Sequence, residues 1–341
     1  MPPRNPRRPV HTITSTFVLG LLLIASPASA LEVNSKIPDR IFIQSDDRLR
    51  TISQNDGITP FSTDAVTSSP HGARDLNRDS KLGAELDTES GVVQISTSEK
   101  IHSQRMVKSK SFLVGEDRNG LGHIRAFKNN GDIQLGAILP APMPTAEISY
   151  DVDVSGGGKV VTDGKAAVVI APDGQMVGGF DTAWARDSRG RPVDTEYVVR
   201  GRTLVQKVDL SDESIAYPVT TDPLFKRGMI RRVNHEKWKR GAWVVQVEVT
   251  GAARLMRAYN WRQAATLGYA DLVDHYPRSM KKATMRQQWD CHILGLYGTF
   301  KIDLEGYRKS KPNWARTEIW KAVKLAYKKK KASAVARACN W

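Results

Sequence analysis

The chain has 341 residues, two cysteines, 51 Lys and Arg against 36 Asp and Glu, and a formal net charge of +15. That length suggests two or three domains. One Cys-His pair with a single distant Cys lacks the four clustered ligands of a zinc site, and past the first thirty residues no stretch is long and apolar enough for a membrane helix.

Arg4, Arg7 and Arg8 precede a short apolar run, Phe17 to Ala25, and Ala28 and Ala30 then supply the small-residue pattern of a secretory leader. We read residues 1–30 as a signal peptide cleaved after Ala30. The run is too short to span a bilayer comfortably as a retained anchor, and Pro9 argues against a twin-arginine signal. The mature chain is therefore expected outside the cytoplasm, secreted or wall-associated. Residues 31–105 are mostly Ser, Thr, Asp, Asn and Gly. They offer too little apolar surface to offset chain entropy, so a disordered polar linker or propeptide is expected, with at most a strand at "GVVQIST".

From 106 to 223 the texture is β. "SFLVGED", "GHIRAF", "DIQLGAIL", "AEISYDVDV", "AAVVIAP", "QMVGGF", "TEYVVRG" and "TLVQKVDL" are separated by turn signals such as "NNGD", "PDGQ" and "DSRG". Short strands at this spacing predict an all-β, sandwich-like middle domain. "GGGKVVTDGK" lacks the spacing of a phosphate loop and reads as a turn, so no cofactor is expected. The run ending in Tyr217, Pro218, Val219, Asp222 and Pro223 resembles the β-region of secreted bacterial wall-associated and polymorphic-toxin proteins. There a Tyr-Pro-Val-x-x-Asp-Pro segment precedes a variable C-terminal module, which implies a boundary after Pro223.

Charge and tryptophan mark the same division. Residues 224–341 hold 26 Lys and Arg against 8 Asp and Glu, a net of +18, whereas residues 31–223 carry −6. Seven of the eight tryptophans lie in the basic third, and only Trp184 lies upstream. A small α+β domain is expected over 224–341. It begins with an alternating strand over Gly241 to Thr250, with Trp243, Val245, Val247 and Val249 on its buried face. A helix capped by Asn260 follows, then a helix carrying Trp289, His292 and Ile293 on one face. "TFKIDLEGYR" is extended, and a last helix starts after Pro312–Asn313.

Outside the cytoplasm, two thiols and no more read as one disulfide. Closing Cys291 to Cys339 would stabilise by roughly 4 kcal/mol in the chain-entropy model. A catalytic thiolate at Cys291 would instead need a basic or dipolar setting and protection from oxidation.

The basic third resembles the secreted bacterial family catalogued as domain of unknown function 2599. The matched positions are Gly268, Leu272, Met285, Arg286, Gln288, Cys291, His292, Leu304, Glu305, Arg308, Cys339 and Asn340. Tyr269, Asp271 and Lys309 depart from the family pattern. The resemblance implies a secreted module and no particular reaction.

Three functional readings follow. The first is binding of an anionic partner (envelope polymer, nucleic acid or lipid headgroups), with Lys321, Lys324, Lys328, Lys329, Lys330 and Lys331 as contacts. The alternative is a secreted hydrolase or toxin-like effector of nuclease type. It would use His292, Glu305, Arg308, Arg286 and His235 for general acid–base work and charge stabilisation. A third has the acidic upstream region docked on the basic module until proteolysis at 31–105 or in "FKRGMIRR".

Overall fold

The protein is described from a computed structural model covering residues 37–56, 61, 65–66, 73–76, 80–107, 111–237, 243–295, 301–315, 324 and 339–341. The leader expected over 1–30 and Lys321, Lys328, Lys329, Lys330 and Lys331 lie outside the described residues. In chain order the elements begin with α1 (Asp39–Asp56), β1 (Ala65–Val66), β2 (Ala73–Asp75), β3 (Gly83–Thr88), β4 (Gly91–Thr97), β5 (Ile101–Val107), β6 (Phe112–Asp117) and β7 (Gly122–Lys128). Next come β8 (Ile133–Leu139), β9 (Thr145–Val154), β10 (Lys159–Thr162), β11 (Ala167–Ile170), β12 (Met176–Phe180), β13 (Ala185–Arg186), β14 (Thr195–Arg200) and β15 (Thr203–Asp209). The chain continues with β16 (Val219–Thr221), β17 (Leu224–Lys226), β18 (Ile230–Lys237), β19 (Trp243–Val249), α2 (Gly251–His275), α3 (Pro277–Met280), α4 (Ala283–Leu294) and β20 (Lys301–Glu305).

Most of this is β structure, arranged in three antiparallel sheets. The largest runs β10-β11-β12-β17-β8-β7-β6-β5, with β1, β13 and β16 attached. A second runs β14-β15-β9-β4-β3-β2, and a third runs β18-β19-β20. Alternation along β8 and β11 shows how the large sheet is used. Ile133, Leu135, Ala137 and Leu139 join Ile95, Ile148 and Tyr150 of the second sheet in one core, as do Ala167 and Val169. Their neighbours point the other way. Ile138 packs with Phe42 and Phe112, while Val168 and Ile170 pack with the C-terminal third. Both faces are covered, which is why every residue of β8 and β11 is buried, Gln134 included.

One cover of the outer face is α1. Phe42, Ser45, Asp46 and Leu49 are buried at helical spacing. Arg105 Nε donates to Asp39 Oδ1 at 2.5 Å, and the Ile37 amide donates to Glu116 at 2.8 Å. The linker expected over 31–105 is therefore corrected. Its residues supply this helix, and β3 and β4 sit inside the second sheet. β4 is the anticipated "GVVQIST". Cross-strand pairing and one narrow apolar stripe hold a polar segment that composition alone leaves unfolded.

The other cover is the basic third. Val168, Ile170 and Met176 share a core with Val245, Val247, Met256, Leu272, Met285 and Trp289. A Cβ at Gly179 would lie 2.4 Å from Ala252 Cβ, so the start of α2 sits directly on β12. The basic third is thus not the separate body expected. The boundary also differs from 223/224, because β17 lies between β12 and β8 in the large sheet.

Two ion pairs hold the junction, the first of them buried on both sides. Lys226 Nζ meets Asp132 at 2.6 Å. Arg231 donates to both Asp181 oxygens, at 2.9 and 2.6 Å, and to Glu248 at 3.2 Å. Burial works to raise the Asp181 carboxyl, but Arg231 and the Gly251 and Thr182 amides outweigh it and hold its pKa below the usual range. "FKRGMIRR" runs from β17 through the short link Arg227–Met229 into β18, with Arg232 its one exposed residue, so it is not the open protease-sensitive boundary expected.

Within the basic third, Asn260 has non-helical φ/ψ, and its side chain accepts from the Gln263 amide at 3.2 Å. The expected cap is present as a kink, with a further helical stretch from Gly251 that Thr250 caps through the Ala253 amide.

Candidate functional site

Helix α4 organises the far end of the basic third. Trp289 is fully buried, its Nε1 donating to Ala265 O at 2.7 Å. Its ring occupies the space that any side chain at Gly268 would need. The preceding residue, Gln288, acts as a surrogate strand. Its oxygen accepts from the Glu305 amide at 2.9 Å and its nitrogen donates to Glu305 O at 3.2 Å. This closes the edge of β20 with a side-chain amide.

The loop after β20 reads "GYRKSKPNWA", with aromatic and basic residues interleaved. Lys282 Nζ donates to Gly306 O at 2.8 Å, Gln287 accepts from the Lys311 amide at 2.8 Å, and Trp341 Nε1 donates to Lys309 O at 3.0 Å. The expected disulfide is present. Cys291 and Cys339 are bonded with Cα atoms 5.5 Å apart, tying α4 to the Cys339–Trp341 segment. Half-buried Trp314 and Trp341 pack on it. Their rings are nearly parallel (18°), with centroids 6.5 Å apart, and Lys311 Nζ lies 5.7 Å from the Trp341 ring centre. Lys309 and Lys324 are exposed.

The proposed catalytic residues do not meet in one cleft. His292 is buried, with Nε2 2.9 Å from Asn340 Oδ1. Burial lowers its pKa against the opposing effects of Asn340, Asp303 and Glu305, so the ring is neutral near pH 7. Both Glu305 oxygens are engaged, by Tyr307 OH and Arg308 Nε, each at 2.6 Å. Arg286 holds Asp290 across one helical turn and lies over Tyr269. His235 is elsewhere. Strand register pairs it with Val245 and pairs Glu305 with Val244, so the two occupy opposite faces of the sheet.

His235 stacks on Trp243 with ring centres 4.1 Å apart and lies 4.7 Å from Tyr276. Its Nε2 is 2.5 Å from Ser279 Oγ. Burial lowers its pKa too. Sequence reasoning missed Ser279, whose partner is set by non-local pairing. It also missed Trp314 and Trp341 as a pair, although the interleaved loop was the available signal.

A cleft of about 470 Å³ opens under α1, lined by Gln44, Arg48, Arg186, Asp187 and Ser188. None of the expected site residues lines it. Among the described residues, no group of three or more His, Cys, Asp or Glu could hold a metal, and no helix is long and apolar enough to cross a membrane. No family model, curated protein or solved structure matches the chain.

Proposed function

We propose that the protein is a secreted binder of an anionic partner (envelope polymer, nucleic acid or acidic lipid) held by the cationic surface of its C-terminal third. The observation that carries this reading is where the acids are spent. Only 8 Asp and Glu accompany 26 Lys and Arg there. Glu248, Asp271, Asp290 and Glu305 already contact Arg231, His275, Arg286 and Arg308. Arg278, Lys281 and Lys309 remain exposed. A field of one sign next to a rigid surface attracts polyanions and keeps its geometry on binding. The hydrolase alternative draws support only from the His235–Ser279 contact, and Ser279 at 4% exposure weighs against a reachable nucleophile.

We infer that the residues resembling domain of unknown function 2599 serve the same picture. Its matched residues Gln288 and Glu305, Cys291 and Cys339, His292 and Asn340, and Glu305 and Arg308 are bonded to one another. The disulfide favours an oxidising compartment. We read the two large sheets, which share one core, as a sandwich-like scaffold that presents the basic third.

The test is retention of the full chain on immobilised polyphosphate across a salt series. Affinity should fall linearly on a log–log scale, and Lys281→Glu with Lys309→Glu should elute at clearly lower salt. Absent or salt-insensitive retention rejects the proposal.

A further inference from the structure

The paired tryptophans refine the identity of the anionic partner, an inference that rests on the polyanion reading above. Two rings in face-to-face contact would sit roughly 3.5–4 Å apart, the optimum for carbon–carbon contact. The Trp314 and Trp341 centroids are 6.5 Å apart, with planes inclined by only 18°. That lies within the range of about 4.5–7 Å for offset-stacked aromatic pairs, so the two half-buried indoles form one aromatic patch beside the basic loop.

The two indoles are fixed from several directions. Both pack on the Cys291–Cys339 disulfide. Trp341 Nε1 is anchored to Lys309 O at 3.0 Å, and the Trp314 amide donates to Lys311 O at 2.9 Å. Lys309 is exposed on this loop, and the Lys311 ammonium lies beside Trp341. Positive charge and aromatic faces are thus interleaved at the scale of one nucleotide, which combines phosphate attraction with base stacking.

We infer that Trp314 and Trp341 form a stacking site for the bases of single-stranded nucleic acid, with Lys309 and Lys311 placed for its phosphates. A lipid headgroup layer or a base-free polymer would use the cations and leave the ring pair idle. The disulfide then has a binding role as well as a structural one, because it fixes Trp341 relative to α4.

The experiment compares oligo(dT) with an abasic oligodeoxynucleotide of equal length, each titrated into the full chain at one salt concentration, with inorganic polyphosphate as the charge control. Stacking is worth about 1–3 kcal/mol per base, so oligo(dT) should bind about tenfold more tightly than the abasic strand. Trp341→Ala and Trp314→Ala should each erase most of that preference and leave polyphosphate affinity unchanged, and reduction of the disulfide should do the same. The wild-type comparison needs no variant to fold. Equal affinity for the two strands overturns the inference and leaves the polyanion reading intact. Retention of the full preference in both variants also overturns it. Failure to bind polyphosphate and both strands removes the polyanion reading and the inference together.

Discussion

The outer face of the large sheet is covered in two ways, and the contrast explains much of the molecule. At the β5–β8 end the cover is α1 together with Phe61, which places Phe42, Leu49 and Phe61 against Phe112, Val114, Ile124 and Ile138. At the β11–β12 end the cover is the whole basic third, which brings its own sheet and disulfide and still takes Val168, Ile170 and Met176 into its core. The first cover is an accessory laid on a finished surface. The second is a folding partner, because neither side of that contact has a complete core alone. Charge follows the same logic, since Asp132 and Asp181 upstream meet Lys226 and Arg231 at the junction.

The largest expected effect comes from separating the partners. Three side chains lose burial worth about 1.5–3 kcal/mol each, so residues 228–341 alone should show no cooperative thermal transition. Removing residues 37–56 should leave the transition of the basic third in place. A sharp melt of the isolated segment would break the comparison.

Next in size is Asp181→Ala, which leaves the buried Gly251 amide without its acceptor and Arg231 with Glu248 as its remaining carboxylate, and should cost about 3 kcal/mol in urea unfolding at neutral pH. The Asp181 pKa is lowered in the folded state. Its contribution is therefore fully present above the ordinary aspartate value of about 4 and disappears as pH falls through the lower folded value. The gap between wild type and variant should close on acidification, and a gap that widens there would contradict the assignment. The smallest effect tests the interior of the second cover. A Cβ at Gly268 would lie 2.3 Å from Trp289 Cζ2, so Gly268→Ala should lose about 1–3 kcal/mol through overpacking. An unchanged melting temperature would show that α2 and α4 pack more loosely than described.

Local signals made part of this legible from sequence. Alternation and turn residues locate β6, β7, β8, β9, β11, β12, β14 and β15. The Asn260 cap and the Cys291–Cys339 bridge follow from residue chemistry and cysteine count. Other features are set by distant partners. Few apolar residues mark α1, whose stability comes from a sheet face supplied by later strands. The largely apolar β8 and the wholly apolar β11 announce burial without saying what lies on each side. The candidate site suffered most. His235 and Glu305 look equally suited to acid–base chemistry in one dimension, and only strand register assigns them to opposite faces. The ring pair depends on the disulfide bringing Trp341 back beside a loop more than twenty residues earlier in the chain.

The placement of β17 bears on the order in which the protein can assemble. Leu224–Lys226 is inserted between β12 and β8, two strands that the chain has already produced. A nascent chain, emerging N-terminus first, must keep that gap open until the junction arrives. It must also keep Val168, Ile170 and Met176 away from other apolar surfaces until α2 follows. Synthesis thus creates an interval, with about two-thirds of the chain made, in which the molecule is at its stickiest, and whatever holds the chain during that interval governs the yield of folded protein.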